Sequence, residues 1–253
     1  MTAAPNNSRM GRILPDVETV DIPLVAQMVA NVFDLESGAL DVAGFQARTR
    51  ALLEAEDPRT ALAPWIDRVL TTGQDQTLAR RSFPDHDYTL QILHLTPGEV
   101  HPLHCHHNVI STQLVLSGAL SGREFERVRQ LGDGRLCLTL LYDGPLPTGA
   151  CLQTTDGSRN AHWFAAGETP VALLNFNIRG YETDTFYPLA LRPLGRRLLD
   201  ATLGVDGPYV LAAEIAAEEA YGRFGNKPLE TFPMPLPAVE QHPQLLGWAE
   251  AAK

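Results

Sequence analysis

Between Tyr88 and Ile178 the chain is a succession of short segments of alternating apolar character, each cut off by glycine or proline. Tyr88-Thr-Leu-Gln-Ile-Leu-His-Leu95 stops at Pro97-Gly98, and Thr112-Gln-Leu-Val-Leu-Ser117 stops at Gly118. Arg123–Val128 gives way to Gly132-Asp133-Gly134, and Arg135–Tyr142, Gly149–Gln153, Ala161–Phe164 and Pro170–Ile178 follow. A period of two over so few residues is that of strands with one buried face. Many short strands cannot lie in one flat sheet without leaving hydrophobic edges open, so they must curl. The expectation is a mainly β fold, a jelly-roll barrel or sandwich.

The flanks read differently. Leu24, Val25, Met28, Val29, Val32 and Phe33 recur at helical spacing. Val42–Ala55 follows Asp41, a helix-capping residue, and Pro58 lies just beyond it; Pro64–Leu70 gives a third helix. After Pro193 the segments Leu194–Leu203 and Tyr209–Phe224 also read as helices, and Pro228–Pro243 as an extended strap. The organisation expected is an arm over 1–21, helices over 22–78 packed on a barrel over 79–192, and C-terminal helices and strap over 193–253, all in one structural domain. Val210, Leu211, Ile215 and Ala216 form an apolar stripe that suits burial within the chain or pairing in a homodimer.

A formal net charge of −10 leaves no basic stripe for phosphates, which argues against nucleic acid as a partner. The first residues lack a secretory apolar core, and no apolar stretch approaches membrane-spanning length. Three cysteines, Cys105, Cys137 and Cys151, are too few for a disulfide framework, so a reducing cytoplasm is the expected location.

The chemistry concentrates in His101-Pro-Leu-His104-Cys-His106-His107. On a strand, His104 and His106 aim at one point, while Cys105 and His107 point the other way. A third imidazole, His162 in Asn160-Ala-His162-Trp163, can complete a neutral three-nitrogen metal site with positions left open. A single strand histidine is more often an ordinary core residue, but four in seven residues favour metal. His101 and His107 are expected at the rim or facing solvent, and His86 and His94 in structural roles.

The spacing Gly98-x5-His104-x-His106-x4-Ser111-x6-Gly118 matches the first motif of the cupin superfamily, with Ser111 where cupins carry glutamate. With the later His162, the region from Ile22 to Pro188 resembles the cysteine dioxygenase-like (thiol dioxygenase) branch of that superfamily. The resemblance implies an Fe(II) centre held by His104, His106 and His162. It also implies an arginine near Ala79-Arg80-Arg81-Ser82-Phe83, in a turn before the first barrel strand, that grips a substrate carboxylate. The family's outer Ser-x-His-x-Tyr triad would fall on Leu173, Asn175 and Asn177 and is therefore missing. A tyrosine hydroxyl near the ion would have to come from Tyr181 or Tyr142.

Around that centre, Arg80 and Arg81 are candidates for a carboxylate clamp or for surface ion pairs. Asn175 and Asn177 share one face of their strand, either inward to substrate or outward to solvent. Ser111, Gln113 and Trp163 stand close in sequence to the ligands, and Trp163, Phe164 and Tyr187 are expected to pack as core or pocket wall. The function expected is a non-heme Fe(II) dioxygenase that binds O2 and a small molecule offering thiolate, amine or carboxylate donors. Two alternatives stay open: a three-His oxygenase acting on a non-thiol substrate, and a non-catalytic metal-binding module.

Overall fold

A computed structural model describes residues 15–84, 86–131, 133–181, 195–225 and 244–246. The expected arm and the strap at Pro228–Pro243, like Tyr187, lie outside these residues except for Pro15 onward. Eight consecutive strands carry the core: β2 (Asp87–Leu95), β3 (Val100–His107), β4 (Val109–Ser117), β5 (Ala119–Gln130), β6 (Leu136–Pro147), β7 (Ala150–Thr154), β8 (Ala161–Ala166) and β9 (Val171–Arg179). They wind so that β2-β9-β4-β7 form one antiparallel sheet and β3-β8-β5-β6 the other. That interleaving is the jelly-roll path of a cupin-type barrel. A strand β1 (Gln76–Ser82) extends the first sheet beside β2, so the Ala79–Phe83 stretch expected as a turn is mostly strand.

Alternation divides the first sheet into two faces. Leu90, Ile92, Ile110, Leu114, Leu174, Phe176 and Ile178 pack outward under the N-terminal helices α1 (Pro23–Glu36), α2 (Val42–Ala55), α3 (Pro58–Ala61) and α4 (Ala63–Thr72). Their partners in alternation, Leu95, Val115, Leu152, Val171 and Leu173, turn inward and meet Leu120, Tyr142, Leu146 and Phe164 of the second sheet. Asp41 caps α2 as the sequence suggests, its carboxylate accepting from Gly44 N at 2.7 Å. On α1, Leu24, Val25, Met28, Val32 and Leu35 are essentially fully buried, the stripe that fastens the helical layer to the sheet. No helix among the described residues is long and apolar enough to cross a membrane.

The C-terminal segment departs from expectation. In place of a helix over Leu194–Leu203 there is a strand, β10 (Gly195–Asp200). The first half of the expected Tyr209–Phe224 helix is likewise a strand, β12 (Tyr209–Ile215), with a two-residue β11 (Val205–Asp206) before it and only α5 (Ala217–Phe224) helical. The cause is tertiary. β10 pairs with β3, β12 pairs with β6, and the two pair with each other, so the second sheet closes on itself as a six-stranded barrel. Of the apolar stripe seen in sequence, Val210 enters the interior of that barrel and Ile215 packs against it, with Ala212, Phe125, Leu138, Trp163 and Leu199 beside them. Pairing of edge strands thus overrides a helix-compatible sequence. A short β13 (Gln244–Leu245) adds to β7.

Both motif glycines hold left-handed backbone, Gly98 at φ 73° and Gly118 at φ 82°. Gly118 also has the Pro170 carbonyl oxygen 2.6 Å from where a Cβ would stand, whereas nothing approaches that position at Gly98. Gly118→Ala is therefore expected to destabilise the fold by more than about 1 kcal/mol, and by more than Gly98→Ala, which carries the conformational cost alone. Urea unfolding of the two variants beside the parent measures this.

Candidate metal centre

The site is built on the antiparallel pair β3–β8, where His104 lies directly opposite His162. Residues opposite one another in such a pair share a face, so both imidazoles enter the space between the sheets. β3 carries an extra residue between His101 and His104, and Pro102 occupies this irregularity, where a missing N–H costs little. His104 Nδ1 donates to the Pro102 carbonyl at 2.8 Å, which leaves its Nε2 lone pair facing inward. His106 follows two residues on. Its Nε2 lies 3.2 Å from His162 Nε2, and the ring of His104 meets that of His162 edge-on with centroids 4.4 Å apart. All three side chains are buried.

Asn160 stitches the two strands at the level of the ligands. Its Nδ2 donates to the His106 carbonyl at 2.7 Å and to the Thr155 carbonyl at 3.1 Å, while His106 N donates to the Asn160 carbonyl at 3.2 Å. The backbone carrying one ligand is thereby tied to the segment carrying another.

The three residues fit an ion. Two imidazole nitrogens bound at about 2.0–2.1 Å stand about 2.9–3.4 Å apart for angles between octahedral and tetrahedral. The 3.2 Å between His106 and His162 falls in that range, and the potential ligand atoms of the triplet all lie within 4.8 Å of one another. Three neutral nitrogens suit a borderline divalent ion such as iron, zinc, copper or nickel, and do not choose among them.

The opposite sheet presents a polar wall. Register runs Arg80 to Thr89, Thr89 to Asn177, Asn177 to Ser111, and Ser111 to Thr154, one inward row across β1, β2, β9, β4 and β7. The neighbouring row joins Gln91, Asn175, Gln113 and Leu152, and Gln113 Nε2 donates to Asn175 Oδ1 at 3.3 Å. The question that sequence parity left open is thus decided: Asn175 and Asn177 face inward while Leu174 and Phe176 pack against the helices. Ser111 Oγ, Gln113 Oε1, Asn177 Oδ1 and Thr154 Oγ1 are buried and without a hydrogen-bond partner among the described residues. Buried polar atoms left open in this way point to a polar occupant of the cavity.

Other candidates from the sequence fall elsewhere. Arg80 lies on the inward row, with Nη2 donating to Thr77 Oγ1 at 3.2 Å and Nε unpartnered among the described residues. Arg81 faces the helical side, its guanidinium 4.9 Å from the Phe83 ring centre and 5.9 Å from that of Phe33. Tyr181 donates to the Leu35 carbonyl at 3.3 Å and packs with the helical layer, outside the cavity. Tyr142 is inside, but its hydroxyl donates to the Pro145 carbonyl at 2.5 Å. Trp163, next to a ligand in sequence, must face the other way and lies in the core of the closed barrel. Phe164 is inward, its ring stacked on His162 with centroids 4.6 Å apart.

His107, expected at the rim or in solvent, is fully buried on the far side of β3. Its Nδ1 faces Arg127 Nη1 at 3.1 Å, and its Nε2 lies 3.3 Å from Glu214 Oε1 and 3.4 Å from Cys105 Sγ. A guanidinium can only donate, so the Nδ1 lone pair is taken and the neutral ring carries its proton on Nε2. Cys105, His107 and Glu214 therefore form a hydrogen-bonded cluster rather than a second ion site. Burial pushes the Cys105 thiol up to about 12, and that of Cys151 likewise to about 12, so both stay protonated at neutral pH.

Sequence reasoning missed Glu124. On β5 it lies opposite His162 of β8 and Tyr142 of β6, and so faces the space between the sheets that holds the three histidines. The residue is fully buried, with Oε2 paired to Arg159 Nη1 at 2.7 Å and Oε1 unpartnered among the described residues. Burial raises the pKa of its carboxyl, and the Arg159 guanidinium pulls it back.

No family model and no curated protein matches this sequence. Among solved structures, the chain is similar to oxalate oxidase (18% identity over 36% of this chain and 41% of that one, TM-score 0.26). It is also similar to the coconut allergen cocosin (17% identity, 36% and 21%, TM-score 0.27). A third is BH2720 of Bacillus halodurans (14% identity, 37% and 63%, TM-score 0.28). The chain spans less than two thirds of the length of each of these proteins.

Two outcomes are expected of the site. His104→Ala, His106→Ala and His162→Ala should each abolish stoichiometric metal binding, while Asn160→Ala should weaken it by about tenfold or more through loss of ligand orientation. Elemental analysis and competition with a chromophoric chelator measure both. Cys105 and Cys151 should resist a thiol reagent at pH 8 in the folded protein and react once it is unfolded in urea; rapid modification of native Cys105 would contradict its burial.

Proposed function

We propose that this chain is a non-heme Fe(II)-dependent dioxygenase of the three-His cupin type, acting on a small carboxylate-bearing substrate. The observation that carries this reading is the buried triplet His104, His106 and His162, with 3.2 Å between two ligand nitrogens and no carboxylate among the three. An Fe(II) ion held there would supply activation of O2 and would accept donor atoms of the substrate in its remaining positions.

The residues of the chain do the rest. His104 is held in its ligating tautomer by the Pro102 carbonyl, and Asn160 fixes the spacing between His106 and His162. Leu173, Val115, Phe164 and Leu152 keep bulk water from the base of the cavity. Arg80, on the same inward row as Asn177 and Ser111, would pair with the substrate carboxylate, and the open amide and hydroxyl oxygens of that row would orient the remainder. Arg81, engaged with two aromatic rings, is not assigned that task. The three cysteines are free thiols, in keeping with a cytoplasmic setting.

A specific observation favours a non-thiol substrate over cysteine itself. The inward positions Leu173, Asn175 and Asn177 offer a methyl surface and two amides where a thiol dioxygenase would carry its outer triad, and Tyr181 bonds to a helix outside the cavity. Anaerobic Fe(II) loading followed by O2-uptake assays with small thiols, amino acids and diketones separates the readings. The expected result is about one iron per chain, with uptake supported by at least one carboxylate-bearing substrate and reduced at least about tenfold in Arg80→Ala. Tight metal binding with no uptake on any substrate would leave a metal-binding module and overturn the dioxygenase assignment.

A further inference from the structure

The cavity has an electrical polarity that the three neutral imidazoles do not supply. Among the described residues, Glu124 on β5 faces inward with its counter-ion Arg159, and Arg80 on β1 does so at the far edge of the first sheet. Arg80 stands at the edge of the first sheet and has no carboxylate partner among the described residues. Glu124 stands on the second sheet, one strand beyond His162, and Arg159 reaches it from a surface cleft of about 210 Å³ lined also by Leu152, Gln153 and Arg50. His104, His162 and Glu124 follow one another along a single row of paired positions, so the carboxylate adjoins the ion site on the side away from β10.

One oxygen of Glu124 is spent on Arg159, and the other is buried without a donor. A fully buried carboxylate oxygen left open is costly unless a donor arrives with the occupant. A hydroxyl could serve, but an ammonium gives the stronger, charge-assisted bond and offsets the residual charge. Resting on the dioxygenase reading above, we propose that Glu124 Oε1 recognises the ammonium group of an amine-bearing substrate. The amine is then held by the protein, and the ion is left for the other donors of the substrate and for O2. Glu124 is in this role a specificity-determining residue and not a metal ligand.

The test uses full-length protein loaded with Co(II), which permits binding to be measured without turnover. Calorimetric affinities are taken for two pairs of probes that differ by one ammonium group, cysteine with 3-mercaptopropionate and alanine with propionate. Unmodified protein should prefer the ammonium-bearing member of at least one pair by about tenfold or more, the scale of one charge-assisted hydrogen bond. Glu124→Gln should bring that ratio close to one while the affinity for the des-amino probe stays within about twofold and the cobalt content is unchanged. Glu124→Asp, which keeps a charge for Arg159 but withdraws the oxygen by one methylene, should give an intermediate ratio. No preference in either pair, a preference that survives Glu124→Gln, or equal loss of both members would overturn the proposal. The visible spectrum of the cobalt reports separately whether probes reach the ion; an unchanged spectrum alongside a Glu124-dependent preference would count against the dioxygenase reading and leave ammonium recognition standing.

Discussion

The structure turns on the pairing of β3 with β8. Opposite residues of that pair share a face, and both faces of the pair are buried, one in the metal cavity and one in the closed second barrel. Each side chain is therefore committed to one of two interiors, with no solvent-exposed compromise. His104 and His162 go to the first; Cys105 and Trp163 go to the second. The irregularity at Pro102 sets the phase, and a slip of one residue would exchange imidazoles for thiol and indole. Asn160, next to β8, guards against that slip by bonding to the His106 backbone of β3 through both its side chain and its carbonyl.

Burying three neutral imidazoles costs far less than burying an ionised carboxylate, which needs a counter-ion and further hydrogen bonds. With Ser111 at the motif position where cupins carry glutamate, the ligand row has no such requirement. Among the described residues Glu124 is an acid that faces the histidines, and it brings Arg159 with it. Charge and ion site are thus separated by one strand. The amide wall of Asn175, Gln113 and Asn177 adds hydrogen-bonding capacity without net charge, so the cavity can be polar and still exclude bulk water.

What the sequence revealed follows the range of the interactions involved. The jelly-roll strands and the α2 cap are local, and period-two alternation or an aspartate before a helix expresses them directly. The His104–His106 pair is equally local, and its spacing to Gly98 and Gly118 made the strand boundaries visible. The errors came from contacts that no local pattern encodes. Val210, Leu211 and Ile215 read as part of a helical stripe because alanine-rich sequence suits a helix, yet closure of the second sheet makes them strand. Glu124 carries no signal of its own; only its register opposite His162 gives it a place in the cavity. The alternation that turns His162 and Arg80 inward turns their neighbours Trp163 and Arg81 out, a parity already present in the sequence.

The C-terminal strands bear on the ion site although none of their residues lies in its ligand set. Without β10, strand β3 would be an edge, free to twist and bonded on one side only. With β10 paired along Gly195–Leu198, opposite His107–His104, β3 is held on both sides at two of the three clustered histidines. β12 closes the ring, so displacement of β3 would require opening a continuous hydrogen-bonded barrel with an apolar interior. Ligand geometry in a metal site is only as exact as the backbone beneath it, and backbone inside a closed barrel moves less than backbone at an edge. The segment that looked in sequence like an appendage is therefore what holds the two histidines of β3 in fixed register with the third.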